Sequence, residues 1–337
     1  MNSGNLRSRW NELSNKYSIF IVLGVMFVIC SILSPVFCTQ GNIANISRQI
    51  SITTIIAFGE TLLIICGLLD LSAGSVLALA GLLSVASFKA TDSLLLSMLV
   101  GILVGVGCNI INGFIVTKFN TPPFIATLAM MTAARGAALL YTNGQNIYQL
   151  GNFIVWGQSS ISIIPTPVVF MIGITIITWY LLKHTKFGRY LYAIGGNQEA
   201  ARASGINIQR VKMKAYLVNG VFVGLAGVIF MSRVNAGLPN SGAGFEFEAM
   251  TAAIIGGTSF SGGIGSAMGT LVGGFIMGLL SNIMNLTLIQ SYIQQIIRGA
   301  IIALAVMYDI YAKTKRESRL IGNIDERLAK KSKSAGY

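Results

Sequence analysis

About ten stretches of the chain are apolar enough to enter a bilayer, and nothing else in the sequence constrains the fold as strongly. A spanning helix needs about 20 apolar residues, because every backbone N–H and C=O at that depth must be satisfied within the segment itself. The stretches lie near 18–37, 50–69, 72–88, 94–117, 122–141, 163–182, 215–232, 249–265, 266–286 and 292–308. The eighth is too short and too glycine-rich for an ordinary span and reads as a short or broken helix. The first is longer than a signal-peptide core and lacks a small-x-small cleavage site, so a retained span is expected. Only 10% of the residues are charged, against about 25% in soluble domains, so the chain cannot dress itself for water. The expected fold class is all-α: a polytopic membrane protein of about ten transmembrane helices.

The formal charge of +13 would suit a nucleic-acid partner, but its distribution excludes one. Of 24 Lys and Arg residues, 18 fall in three places: the N-terminal tail, residues 183–214, and the stretch after Asp309. Positive charge collects in cytosolic segments, so all three are expected there, and an even number of crossings puts both termini on that side. Lys118 joins them, leaving Arg48, Lys89 and Arg233 outside. The expected organisation is a basic cytosolic tail (1–17), one transmembrane domain (18–312) with a cytosolic loop at 183–214, and a second basic tail (313–337). Cys30, Cys38, Cys66 and Cys108 have no metal-site spacing, and the single His184 lies at a membrane boundary.

Polar residues inside the runs are few. Asp70 and Ser72 follow the second run and are expected to cap the third helix at the cytosolic surface, an ion-binding role being the alternative. Arg135 should face the protein interior or a wet cavity, and Arg298 needs a partner or water. Glu246 and Glu248 read as part of a polar external loop at 233–248. Asn109, Asn112, Asn219, Asn282 and Asn285 are candidates for a polar path suited to a neutral polyol; bridging between helices is the commoner use of buried amides. Gly265, Gly269 and Gly273, with Gly274 and Gly278, offer small faces for close helix packing. The stretches 67–75 and 257–266 are faint echoes of each other.

Residues 183–214 form the longest polar interruption. Within them Asn197 can cap a very short helix, Glu199 lies in its first turn, and Gly205 can stop it. Residue types alone allow either a solvated connector or a docking element. The chain has no G-x-x-x-x-G-K-[ST], no Gly-Lys pair, no H-E-x-x-H and no G-x-S-x-G, so it cannot hydrolyse ATP through a P-loop. Acids within the spans are few, Glu60 and, at an end, Asp70, fewer than ion coupling usually uses, which points to an external energy source.

Glu199-Ala200-Ala201-x-x-x-Gly205 has the spacing of the EAA motif of ABC-importer permeases. The ordered words LDLSAGS (69–75), PFIATLAMMTAARGAALLYTNG (123–144), PTPV (165–168), HTKFGRYLYAIGGNQEAARASGI (184–206) and EAMTAAIIGGTSFSGGIGS (248–266) extend the likeness. From first span to last the chain resembles the ribose-type sugar permeases. It departs from them at Gly67-Leu68-Leu69-Asp70, usually Gly-Gly-Ile-Asp, and at Ala73, usually Val. The resemblance implies the membrane half of a binding-protein-dependent importer in the bacterial cytoplasmic membrane, with no chemistry of its own. Expected partners are a second permease subunit, a cytosolic ABC ATPase that holds ATP and magnesium, an extracytoplasmic sugar-binding protein, and the sugar. Gln198, Glu199, Ala200, Ala201 and Gly205 would then belong to the helix that couples to the ATPase. An ion-coupled secondary transporter of a small polar solute is the competing reading, and a channel a weaker third.

Overall fold

The computed structural model describes residues 19–334, except for the side chains of 312–313 and 316–334. The expected N-terminal tail, 1–17, lies outside the described residues, as do most side chains of the expected C-terminal tail, 313–337. Helix α1 (Ile19–Leu33) stops just before Ser34-Pro35, since the residue preceding a proline is pushed out of helical geometry. Thr39 then caps α2 (Gln40–Ile65), its hydroxyl accepting from the Asn42 amide N–H at 3.4 Å. Next come α3 (Ala73–Thr91), α4 (Leu94–Lys118, capped by Ser93) and α5 (Pro123–Thr142), which opens on its proline as first turns permit. Loop structure follows: β1 (Ile147–Tyr148), a 3₁₀ turn (Gly151–Ile154), α6 (Val155–Gln158), β2 (Ser160–Ile161) and β3 (Ile164–Pro165). The rest comprises α7 (Thr166–His184), α8 (Lys186–Gly196), α9 (Gln198–Ala203), α10 (Ile208–Val234), β4 (Ala236–Gly237), α11 (Phe245–Ile255), α12 (Ala267–Leu286) and α13 (Ser291–Ser334). β1 pairs antiparallel with β4, and β2 with β3.

The chain is thus all-α and polytopic. Eight helices among the described residues are long and apolar enough to cross a membrane: α2, α3, α4, α5, α7, α10, α12 and the 291–311 part of α13. The other two expected crossings correspond to the shorter α1 and α11. Helix α2 begins at Gln40 rather than near Ile50, which corrects the expected start of the second span. Its early polar residues are taken up by other elements. Asn42 and Asn282 exchange amide hydrogen bonds of 3.0 and 3.3 Å, Arg48 donates to the Gln158 carbonyl at 2.9 Å, and Arg233 donates to Asn45 at 3.1 Å. Each partner removes the penalty that would otherwise exclude the group from a packed helix.

The core is built on α2 and α10, which are buried along most of their length, whereas α4, α5, α7 and α13 keep much of their apolar surface exposed. Helix α10 crosses α4 at glycines on both sides. A Cβ on Gly220 would meet the Gly105 carbonyl, and one on Gly224 the Gly101 carbonyl, so the backbones touch without side chains between them. On α12 the expected small face is used for close packing, Gly269 and Gly273 resting on the backbone at the end of α11 and Gly274 and Gly278 on the Thr54 and Ile50 side chains of α2. Gly173 on α7, by contrast, has open space where a Cβ would go. Gly220→Ile is therefore expected to destabilise the chain by overpacking, at a cost of about 1–3 kcal/mol or more, and Gly173→Ile is not. Thermal unfolding of the two variants in detergent reads the difference, and equal midpoints would contradict the close crossing.

Candidate functional site

Three caps in succession shape the segment between α7 and α10. The Thr185 hydroxyl accepts from Gly188 N–H (3.1 Å) to start α8, Asn197 Oδ1 accepts from Ala200 N–H (2.9 Å) to start α9, and Asn207 Oδ1 accepts from Arg210 N–H (3.0 Å) to start α10. Helix α9 closes on Gly205, whose φ of +79° is the left-handed conformation that glycine adopts without strain. Ile206 N–H donates to the Ala201 carbonyl (3.1 Å) and Gly205 N–H to that of Arg202 (3.0 Å), the paired bonds of a Schellman stop. The expected short helix is present, over Gln198–Ala203. Ala201 is its one buried residue, whereas Glu199, Ala200 and Arg202 face outward. Glu199 and Arg202 pair at 3.0 Å on the exposed surface, and Gln198 accepts from Lys212 at 2.7 Å, tying α9 to α10. This is a small, pre-shaped knob whose outer face carries Ala200 and Ala203 beside the Glu199–Arg202 pair.

Beneath the knob lies a seat of bare backbone. Gly195, near the end of α8, packs against the Ile65 carbonyl and the Gly263 amide, leaving no room for a side chain. Gly263 N–H donates to the Ile65 carbonyl at 2.9 Å, and the Tyr192 hydroxyl donates to the Gly265 carbonyl at 2.8 Å. Burial pushes that phenol above its ordinary pKa. Helix α8, which leads into the knob, thus packs against the end of α2 and the break between α11 and α12. The same break reaches α13, where Asp309 accepts from the Ser259 hydroxyl (3.1 Å) and the Phe260 N–H (2.8 Å). Sequence reasoning missed this seat; its signal was the adjacent glycines Gly195-Gly196 and Gly262-Gly263.

A second polar centre lies inside the helix packing. Asp70 is fully buried rather than a cap at a surface, which corrects the expectation. Its carboxylate accepts from Ser72 N–H (2.8 Å), from the Ser72 hydroxyl, and from Asn219 Nδ2 (2.8 Å). Asn219 Nδ2 also donates to Asn109 Oδ1 (3.0 Å), Asn112 Nδ2 donates to Ser72 Oγ (3.0 Å), and Asp70 N–H donates to Glu60 Oε2 (3.3 Å). Asn109, Asn112 and Asn219 thus meet at one point, joining α4 and α10 to the turn before α3. Asn282 is buried against Asn42, and the exposed Asn285 accepts from Gln294 Nε2 at 3.0 Å. The five candidate asparagines therefore occupy three separate places.

Glu246 and Glu248 are buried in the first turn of α11 rather than in a solvated loop, a second correction. The sequence hid this because acids beside glycines read as a turn. Each has a guanidinium nearby. Glu248 forms an ion pair with Arg298, supplying the partner that arginine required. Arg135 faces Glu246 across a cavity and donates from Nη1 to the carbonyls of Pro239 (2.6 Å) and Ser241 (2.7 Å).

A multi-pass bundle with a capped, outward-facing knob is the architecture of a transporter's membrane subunit. The branched-chain amino acid transport system / permease component family matches residues 42–306, and the chain belongs to it. It is a permease subunit of an ABC importer, without an ATPase site, and hydrolysis takes place on a partner subunit. It is 40% identical over 306 residues to the ribose import permease protein RbsC of Bacillus subtilis (strain 168), covering 90% of this chain and 95% of that one. It is also 37% identical to the D-allose transport system permease protein AlsC of Escherichia coli (strain K12), over 88% and 91% of the two chains. Identity to the L-arabinose transport system permease protein AraH of the same strain is 34%, over 91% and 94%. No solved structure matches the chain. All three relatives are named permease proteins, the first of them an import permease, and this supports the permease reading and not the ion-coupled carrier.

Proposed function

We propose that the chain moves a monosaccharide, ribose or a close relative of it, across the bacterial cytoplasmic membrane in the ATP-driven direction of import. The observation that carries the sugar is the near full-length identity to permeases named for ribose, allose and arabinose, although the family's own description names amino acids. An extracytoplasmic binding protein delivers the sugar, and two copies of the chain enclose the path. Helix α9, with Gln198, Glu199, Ala200, Ala201 and Gly205, enters a cleft of the cytosolic ATPase, which holds the ATP and magnesium. The supporting geometry is the exposed face of α9, with Ala200 and Ala203 beside the Glu199–Arg202 pair, and the seating of the preceding α8 on the end of α2 and the break after α11. Closure of the ATPase pair would push the knob, and the seat would pass that motion to α2, α11 and α12 as rigid bodies. Orientation follows the basic segments, with both termini and residues 183–214 on the cytosolic side. Arg48, Lys89 and Arg233 gather at the opposite end, where Lys89 donates to the Tyr148 carbonyl at 2.9 Å.

Labelled ribose uptake into proteoliposomes of the assembled importer tests this reading. Uptake is expected to stop when the ATPase is made catalytically inactive and to persist with a protonophore while ATP is present. Uptake that persists with the inactive ATPase and collapses with the protonophore would contradict it.

A further inference from the structure

Phe124, Leu128, Met131 and Arg135 line one cavity. Their spacing of four, three and four residues makes them a single stripe of α5, roughly 16 Å long at about 1.5 Å per residue. Opposite stand Ser75 in the first turn of α3 and Glu246 and Phe247 in the first turn of α11. The cavity holds about 580 Å³, within the range of roughly 300–1,000 Å³ typical of small-molecule sites. Its wall is mainly apolar with a few convergent polar groups, and four of its lining residues belong to α5, a helix long and apolar enough to cross the membrane.

Those polar groups have unused capacity. Glu246 is only 5% exposed; its Oε1 accepts from Gly244 N–H at 3.1 Å, while Oε2 takes no hydrogen bond from a described residue. Arg135 spends Nη1 on two loop carbonyls and has no protein acceptor for Nη2 or Nε among the described residues. A crevice meant for lipid gains nothing from a buried carboxylate and a guanidinium, which are costly at that depth. A neutral ring bearing hydroxyls matches them: its O–H groups donate to a carboxylate, its oxygens accept from a guanidinium, and its C–H face lies on aromatic rings. Phe124 and Phe247 supply the rings.

We propose that this cavity is a monosaccharide subsite on the translocation path. Glu246 Oε2 accepts from sugar hydroxyls, Arg135 donates to the sugar's oxygens, and Phe124 and Phe247 cover its C–H face. The assignment rests on the sugar-import reading above. It also moves the polar lining from the asparagines to the α5–α11 face.

The test uses the complete importer in proteoliposomes, with uptake of labelled ribose, allose and arabinose measured beside ATP hydrolysis stimulated by the binding protein. Glu246→Gln keeps the shape and removes the charge. Phe124→Ala removes a side chain that is 53% exposed, so it decides the matter should the first variant fail to accumulate. Each variant is expected to lower sugar moved per ATP by about tenfold and to change the order of the three sugars, with stimulated hydrolysis retained. Unchanged uptake and sugar order in the variants would overturn the subsite and leave sugar import standing. A wild-type complex that hydrolyses ATP but moves none of the three sugars would overturn both.

Discussion

Gly205→Asp is expected to abolish co-purification of the ATPase subunit and reduce ATP-driven uptake to background, while the chain still inserts and folds. Gly205 is the left-handed residue that ends α9, and a Cβ there would meet nothing within 4 Å, so aspartate has room. Aspartate also enters the left-handed region more readily than most residues, so the local cost is about 1–2 kcal/mol at most. What changes is the surface offered to the partner: a carboxylate stands where the backbone was bare, beside the alanine face. Gly205→Asn supplies nearly the same shape and conformation without charge, and should retain a measurable part of the association. Pull-down of the ATPase by the tagged chain measures both. Unchanged association of Gly205→Asp, with unchanged uptake, would remove residues 198–205 from the coupling role.

The second large effect is expected at Asp70. Replacing it with alanine leaves Ser72 N–H, the Ser72 hydroxyl and one hydrogen of Asn219 without their acceptor in a fully buried site. Unsatisfied buried donors cost about 1–3 kcal/mol each, and breaking a buried charged contact costs about 3–5 kcal/mol. Asp70→Ala should therefore lower the thermal midpoint in detergent far more than Gly173→Ile. Asn219→Leu alone should also destabilise. The double variant should lose less than the sum of the two, because the leucine removes a donor that the alanine would strand. Strict additivity would mean that Asp70 and Asn219 do not interact.

The bundle was legible because hydropathy reports the length of each helix directly, and the short α9 because Asn197 and Gly205 are strong local signals. Three features were not, each for the same kind of reason. Asn42, Asn45 and Arg48 fell outside the expected second span because their partners, Asn282, Arg233 and Gln158, lie more than a hundred residues away. Asp70 looked like a surface cap because the amide that holds it comes from the middle of α10. Glu246 and Glu248 looked solvated because Arg135, which faces Glu246 across a cavity, and Arg298, which pairs with Glu248, come from α5 and α13. Local patterning sets the cost of burying a polar group; only the fold reveals what offsets it. The glycine seat under α9 follows the same logic, since Gly195 has no distinguishing neighbour in sequence and touches Ile65 and Gly263 in space.

The most direct measurement on the central claim is site-specific cross-linking from α9 in the assembled importer. Ala200→Cys, on the outward face, is introduced into a chain whose exposed Cys38 has been replaced by serine. A short bifunctional reagent should join the new thiol to the ATPase subunit in high yield, and the yield should change between nucleotide-free and ATP-bound states as the cleft closes. Ile163→Cys, at an exposed position on the other end of the bundle, should give no such product. Cross-linking to the ATPase from position 163, or none from position 200 in an importer that still transports, would contradict the account.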